Sequence, residues 1–185
     1  MNLERRLFLK TKTLIETKNL TTAASWVKNE NIIAYPTEGV WGIGCIYKKT
    51  LMEKLNLIKG REKNKKYILL FQSTEHAFER LNIEKKYKDR IEKLSKSFTT
   101  IIIPSGEDSI AIRIPQYPIL LQFLDHIGRE IVSTSANLSG EPVCKTTNEV
   151  KNIFSEKIFG ILDLPLGGQK KPSKIFDLNL GDYVR

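Results

Sequence analysis

Short apolar runs along the chain alternate with stretches whose apolar residues recur at helical spacing, and that alternation predicts the elements. Thr21 or Thr22 can cap a helix that contains Ala23, Ala24, Trp26 and Val27 and ends near Asn29. The run Ile32-Ile33-Ala34-Tyr35 stops at Pro36, as a buried strand does. PTEGVWGIG then reads as a loop whose three glycines allow close backbone approach. Leu51, Leu55 and Ile58 predict a helix over 50–59, closed by Lys59-Gly60-Arg61. A strand is expected at 67–71 and short helices at 75–81 and 87–95. Strands at 98–103 and 109–114 flank a Pro104-Ser105-Gly106 turn. A helix over 118–127 begins with proline, and a strand over 130–134 follows. Thr146-x-x-Glu149 forms a capping box ahead of Val150 and Ile153, and strands at 158–164 and 175–178 finish the pattern.

Strands and helices mix here without strict βαβ alternation, so the expected fold is α/β, a single domain with a twisted, mostly mixed sheet flanked by helices. Its 185 residues suffice for a substantial core. Residues 1–19 are basic but interrupted by Glu4 and Glu16, and read as an N-terminal extension or first helix; 20–185 form the domain. The apolar stretch at 7–9 is too short for a signal-peptide core. No run approaches the roughly 20 apolar residues of a membrane helix. Cys45 and Cys144 lie far apart without C-x-x-C spacing, which suggests neither a metal knuckle nor a disulfide framework. The expected setting is cytoplasmic, with no membrane partner.

The net charge of +9 invites a nucleic-acid reading. The excess is mostly Lys and accompanies abundant Ile and Asn, the pattern of A- and T-rich coding, so it marks no surface by itself. It does favour an anionic ligand, and ATP and RNA both qualify. Neither G-x-x-x-x-G-K-[ST] nor a G-x-G-x-x-G after a strand is present. His76 and His126 are the only histidines, each within a helical pattern, so no histidine base is expected. Chemistry here would rest on positioning and charge neutralisation.

Four stretches place small or polar residues at the end of an apolar element, where α/β sheets collect ligands. They are Tyr35 to Gly42, Lys59-Gly60-Arg61, Ala111-Ile112-Arg113-Ile114-Pro115, and Ser133-Thr134-Ser135-Ala136-Asn137. Lys59 and Arg61 suit a polyphosphate, or equally a solvated basic helix end. Arg113 interrupts an apolar strand, so it either faces solvent or is buried with an anionic or carbonyl partner. Thr37 and Glu38 fit a side-chain-capped turn as well as a site. Ser135 and Asn137 can donate to phosphate or carboxylate oxygens, or satisfy their own loop.

Taken together, these motifs resemble the YrdC/Sua5 family of threonylcarbamoyl-AMP synthases, in its short bacterial form. YPTEGVWGIG, K-G-R, A-I-R-I-P, S-T-S-A-N-L-S-G-E-P and P-S-K-I-F-D at 172–177 follow the family's order across 32–177. The resemblance implies a YrdC-like domain with a deep electropositive cavity. It implies conversion of L-threonine, bicarbonate and ATP to L-threonylcarbamoyl-AMP and pyrophosphate, for t6A at tRNA position 37. Lys59, Arg61, Ser135 and Asn137 are the implied catalytic and ATP-phosphate set, with Ser109 and Ser173 as further nucleotide-side candidates. Thr37, Arg113 and Ser135 are implied at threonine, with Arg113 pairing its carboxylate. Mg²⁺ is implied with ATP, without assigned ligands. A downstream tRNA threonylcarbamoyl transferase complex is the implied recipient, and weak direct tRNA binding is compatible with it.

The family's W-P-G-P-x-T is here Ser95-Lys96-Ser97-Phe98-Thr99-Thr100, and Glu62 replaces proline after K-x-R. Leu70 stands where longer relatives carry histidine. Two other readings remain at this stage. One is a non-catalytic RNA-binding module on the same fold, against which aromatic residues are sparse near the basic segments. The other is a carbamoyl-adenylate reaction with a different acceptor, which would alter the surroundings of Thr37 and Arg113.

Overall fold

The computed structural model describes residues 14–61, 67–106 and 108–185, and gathers the apolar runs into one ten-stranded sheet. In chain order the elements are β1 (Ile15–Thr17), α1 (Leu20–Lys28), β2 (Ile33–Pro36), β3 (Trp41–Ile46), α2 (Lys49–Lys59) and β4 (Ile68–Leu70). Then come α3 (Thr74–Leu81), a 3₁₀ turn (Lys85–Tyr87), α4 (Lys88–Ser95), β5 (Thr99–Ser105) and β6 (Asp108–Arg113). The last are α5 (Pro118–Ile127), β7 (Ile131–Ser135), α6 (Thr147–Phe154), β8 (Gly160–Leu162), β9 (Lys174–Asp177) and β10 (Asp182–Tyr183).

The strand order is β1-β8-β2-β3-β7-β4-β6-β5-β9-β10. β8 runs parallel to both β1 and β2, β4 to β6, and β5 to β9, while β2/β3, β3/β7, β4/β7, β5/β6 and β9/β10 are antiparallel. The sheet is mixed and helix-flanked, as the pattern predicts. Ala23, Ala24 and Val27 of α1 and Leu120, Phe123 and Leu124 of α5 join the single apolar core, and Lys28 Nζ bonds the His126 carbonyl between these helices at 3.0 Å.

Three details differ from the sequence reading. Residues 41–44, expected as loop, belong to β3 (Trp41–Ile46), every residue of which is buried. A Cβ on Gly42 would stand 2.9 Å from the Tyr35 ring, and one on Gly44 2.1 Å from the Val132 carbonyl oxygen. The glycines are there for close packing within a strand, not for a turn. The first helix is capped by Asn19, whose Oδ1 accepts from the Thr22 amide at 2.8 Å, rather than by Thr21 or Thr22. β5 continues through Ser105, so Pro104 and Ser105 belong to the strand, and Gly106 follows at φ 60°.

Of the segment 1–19, residues 1–13 lie outside the described residues, and Ile15–Thr17 is the edge strand β1. Glu62, Lys63, Lys65 and Lys66 also lie outside them. The helix α2 stops at Gly60, whose left-handed backbone (φ 59°) turns the chain so that Arg61 follows Lys59 on the other side of the cap. β7 lies between β3 and β4, and its polar end forms the wall of a cavity.

Candidate active site

β7 starts with Ile131 and Val132, both fully buried, and ends in Ser133, Thr134 and Ser135, all three on the wall of a cavity of about 440 Å³. Small side chains here leave the space open. Ser133 is held from behind: its hydroxyl accepts from the Tyr35 phenol at 2.7 Å. Burial pushes that phenol above its ordinary range, so it stays a donor.

Lys59 and Arg61 meet β7 at one corner. Lys59 is only 3% exposed, and its ammonium donates to the carbonyls of Ser135 (2.5 Å) and Asn137 (2.6 Å) and to Asn137 Oδ1 (3.2 Å). Burial, reinforced by the nearby Arg61 charge, lowers its pKa from the ordinary lysine value to about 8. Arg61 lies over the Tyr67 ring at 4.5 Å and donates from Nη1 to Thr134 Oγ1 at 3.1 Å. Ser135 Oγ donates to Asn137 Oδ1 at 2.7 Å. Arg61 and Ser135 line the cavity, whereas Lys59 and Asn137 stand behind them.

Arg113, at the end of β6, occupies a second corner of the wall. Its burial decides between the two sequence readings: it is 6% exposed, and its Nη2 lies 2.6 Å from Glu38 Oε1. The Gln116 backbone N–H donates to the same oxygen at 2.9 Å. Phe98 covers the guanidinium at 4.3 Å. Burial lowers the pKa of Arg113 and the Glu38 carboxylate opposes that shift, so the side chain remains a cation.

Thr37 is on the wall and also closes the side-chain-capped turn, with Oγ1 donating to the Val40 carbonyl at 2.6 Å. Ser173 is on the wall and shares a 2.8 Å hydrogen bond with Thr100. Ser109 is not among the wall residues; its backbone N–H donates to Asp108 Oδ1 at 2.8 Å. Among the described residues the charged side chains of the wall are Arg61, Arg113, Lys171 and Arg185, with no Asp or Glu side chain.

Sequence reasoning missed several of these groups. Glu38 was flagged with Thr37 as a turn or a site, but not as the partner of Arg113, although the demand of Arg113 for an anion was the signal that could have found it. Phe98 has no motif signal, because it sits where the family's segment is altered. Lys171, just before β9, and Arg185, after β10, reach the wall from the end of the chain, and Arg185 Nη2 donates to the Ser173 carbonyl at 3.1 Å. Among the described residues no group of three or more His, Cys, Asp or Glu side chains is placed to hold a metal, and no helix is long and apolar enough to cross a membrane.

Comparisons with known proteins match most of the chain. The family model Sua5_yciO_yrdC, described as "Telomere recombination", matches residues 25–185. A threonylcarbamoyl-AMP synthase of Histophilus somni is 34% identical over 181 residues, covering 90% of this chain and 98% of that protein. The crystal structure of P. abyssi Sua5 complexed with L-threonine superposes with a TM-score of 0.75 at 24% identity, over 90% of this chain and 54% of the other. E. coli YciO gives a TM-score of 0.73 at 20% identity, over 93% and 95% of the two chains. These two structures share the fold.

Proposed function

The chain belongs to the Sua5/YciO/YrdC family, and on that premise we propose that it is an L-threonylcarbamoyladenylate synthase, a nucleotidyltransferase acting on L-threonine, bicarbonate and ATP. The observation that carries this reading is a single cavity whose wall combines three arginines, Arg61, Arg113 and Arg185, with the hydroxyls of Thr37, Thr134 and Ser135. A volume of about 440 Å³ is of the size that holds a small-molecule substrate.

The reaction joins two anions. The threonine amine adds to the carbon of bicarbonate with loss of water, giving a carbamate. A carbamate oxygen then forms a bond to the α-phosphorus while the bond from that phosphorus to the bridging oxygen breaks, and pyrophosphate leaves. Charge neutralisation and alignment supply the acceleration, which agrees with a wall rich in fixed cations and lacking histidine. Arg61 and Ser135 take the triphosphate side, with Ser173 near the nucleotide. Arg113 pairs the threonine carboxylate beside Thr37, and Ser135 serves both substrates. Lys59 and Asn137 complete the catalytic set from behind the wall, and Ser109 is the outermost of the nucleotide-side candidates. Mg²⁺ enters with the triphosphate as part of the substrate.

The product feeds t6A formation at tRNA position 37 through a threonylcarbamoyl transferase complex in the cytoplasm. A purely RNA-binding role draws less support, since a cavity of about 440 Å³ is of the size that takes a nucleotide rather than a strand.

The test is pyrophosphate release by the purified chain with ATP and Mg²⁺, adding and omitting L-threonine and bicarbonate in turn. Release that needs both is the expected result. Release that ignores both, or none despite ATP binding, overturns the reading.

A further inference from the structure

Phe98 stands where the family's segment has its second proline, with a backbone that proline could not adopt: φ is 51°, in the left-handed region. A bulky residue takes that conformation where its surroundings impose it, and such residues gather at functional sites. Here both flanks are pinned. On the α4 side the Ser97 amide and hydroxyl both donate to the Leu94 carbonyl, at 3.0 and 2.8 Å. On the β5 side the Phe98 carbonyl accepts from the Lys174 amide at 3.2 Å, where the pairing of β5 with β9 begins. The ring is thereby turned onto the cavity wall.

There it is wedged between two parts of the amino-acid corner. It covers one face of the Arg113 guanidinium at 4.3 Å. Its tip reaches Gly39, where a Cβ would stand 3.1 Å from Phe98 Cζ and 1.8 Å from the Lys171 carbonyl oxygen. Glu38 engages Nη2 of the same guanidinium. A carboxylate entering the cavity therefore meets Arg113 by an edge, in the guanidinium plane, as such pairs prefer. The α-carbon of that amino acid carries its amine and its side chain beside this plane. The amine has to point into the open cavity, where bicarbonate and the α-phosphorus meet it. The side chain is the group left to face the ring.

We propose that Phe98 is a specificity-determining residue: its ring bounds the subsite for the amino-acid side chain, packs on the methyl group of threonine and leaves no room for a longer chain. The proposal rests on the adenylate-forming reading for its substrate. Among the described residues the aromatic side chains of the wall are Trp41 and Phe98, and Phe98 is the one in contact with Arg113. Serine lacks the methyl that the ring would hold, and leucine overfills the space beside it. In a fitted apolar pocket one such group changes kcat/KM by roughly 10–200-fold.

The full chain carrying Phe98→Gly gives the main test, because glycine accepts φ 51° and the ring alone is lost. Phe98→Leu keeps bulk without the flat ring, and serves if the glycine variant does not fold. Three quantities are read: the dissociation constants of L-threonine, L-serine and L-leucine with and without ATP, kcat/KM for pyrophosphate release with each, and the ATP dissociation constant. Phe98→Gly is expected to cut the preference for threonine over serine, and over leucine, by about tenfold or more. ATP binding stays unchanged, and Phe98→Leu falls between the two. These preferences are ratios measured on one folded protein, so a loss of stability does not move them. Preferences unchanged in both variants, or ATP affinity falling together with that of every amino acid, make Phe98 a packing residue and overturn the proposal. If the wild type binds threonine yet releases no pyrophosphate, the adenylate-forming reading fails, and the three dissociation constants still decide Phe98. If it binds none of the three, Phe98 borders no amino-acid subsite and the proposal falls.

Discussion

Two cations are buried at this site, and they are kept in opposite ways. Lys59 is surrounded by neutral oxygens, and every N–H it owns has one. Arg113 is held by a carboxylate, Glu38, under the face of Phe98. In the first corner the burden of burying charge is met by geometry, with three acceptors at fixed positions. In the second it is met by an opposite charge, which works only while both partners stay. The second corner is also less complete: Glu38 Oε2 is buried and has no hydrogen-bond partner among the described residues. Geometry held by neutral groups suits a wall that must align a reaction. A charge pair suits the place where a charged substrate is exchanged for a charged side chain.

The largest effect comes from breaking the charge pair. Glu38→Ala leaves Arg113 buried and unpaired and is expected to lower stability by about 3–5 kcal/mol in urea unfolding. Glu38→Gln, which keeps an acceptor for Arg113 and for the Gln116 amide, should lose clearly less. Equal losses would show that hydrogen bonding, not charge, holds that corner.

The Lys59 corner should answer to pH instead. Lys59 titrates at about 8 in the folded chain against an ordinary value of 10.5, so between these the unfolded chain holds a proton that the folded chain has released. The stability of wild type relative to Lys59→Met therefore rises with pH across that window and is flat below it. A stability difference independent of pH would contradict it.

Smaller changes sharpen the comparison. Phe98→Leu removes the ring from Arg113 and should lower stability by about 1–2 kcal/mol, with a greater effect on threonine than on ATP binding. Tyr35→Phe deletes only the phenol that holds Ser133 and should lower it by about 1 kcal/mol. A loss in Tyr35→Phe as large as that in Glu38→Ala would mean that the two corners do not differ in kind.

What could be read from the sequence follows from the range of the forces. The helix cap at Thr146 is local and is found as predicted, with the Thr146 hydroxyl accepting from the Glu149 amide at 3.2 Å. The Glu149 carboxylate accepts from the Lys145 amide and not, as a full capping box would have it, from that of Thr146. α5 begins at Pro118 and ends at Ile127, as its apolar spacing requires. β3 was hidden because its glycines answer to Tyr35 and Val132, residues on neighbouring strands. β1 was hidden because three residues carry little pattern, and their strand character comes from β8 at the other end of the chain. At the site, the motif stretches flagged Thr37, Arg61, Arg113 and Ser135, all of which line the cavity. Which face Lys59 would turn, and that Glu38 would be the partner of Arg113, depends on tertiary packing that spacing does not encode.

The pairing of β1 with β8, and of β5 with β9, has a consequence for synthesis on the ribosome. Both are parallel pairs that join early to late parts of the chain, and Ser173, Lys171 and Arg185 of the cavity wall follow β8. While the chain is still growing, the central strands β2, β3, β7, β4 and β6 can pair, but the wall is incomplete and strand edges stay open. Pairings of such long sequence separation form slowly. A nascent chain therefore passes through a stage with a sheet but no site, and that is the stage at which a chaperone would matter most.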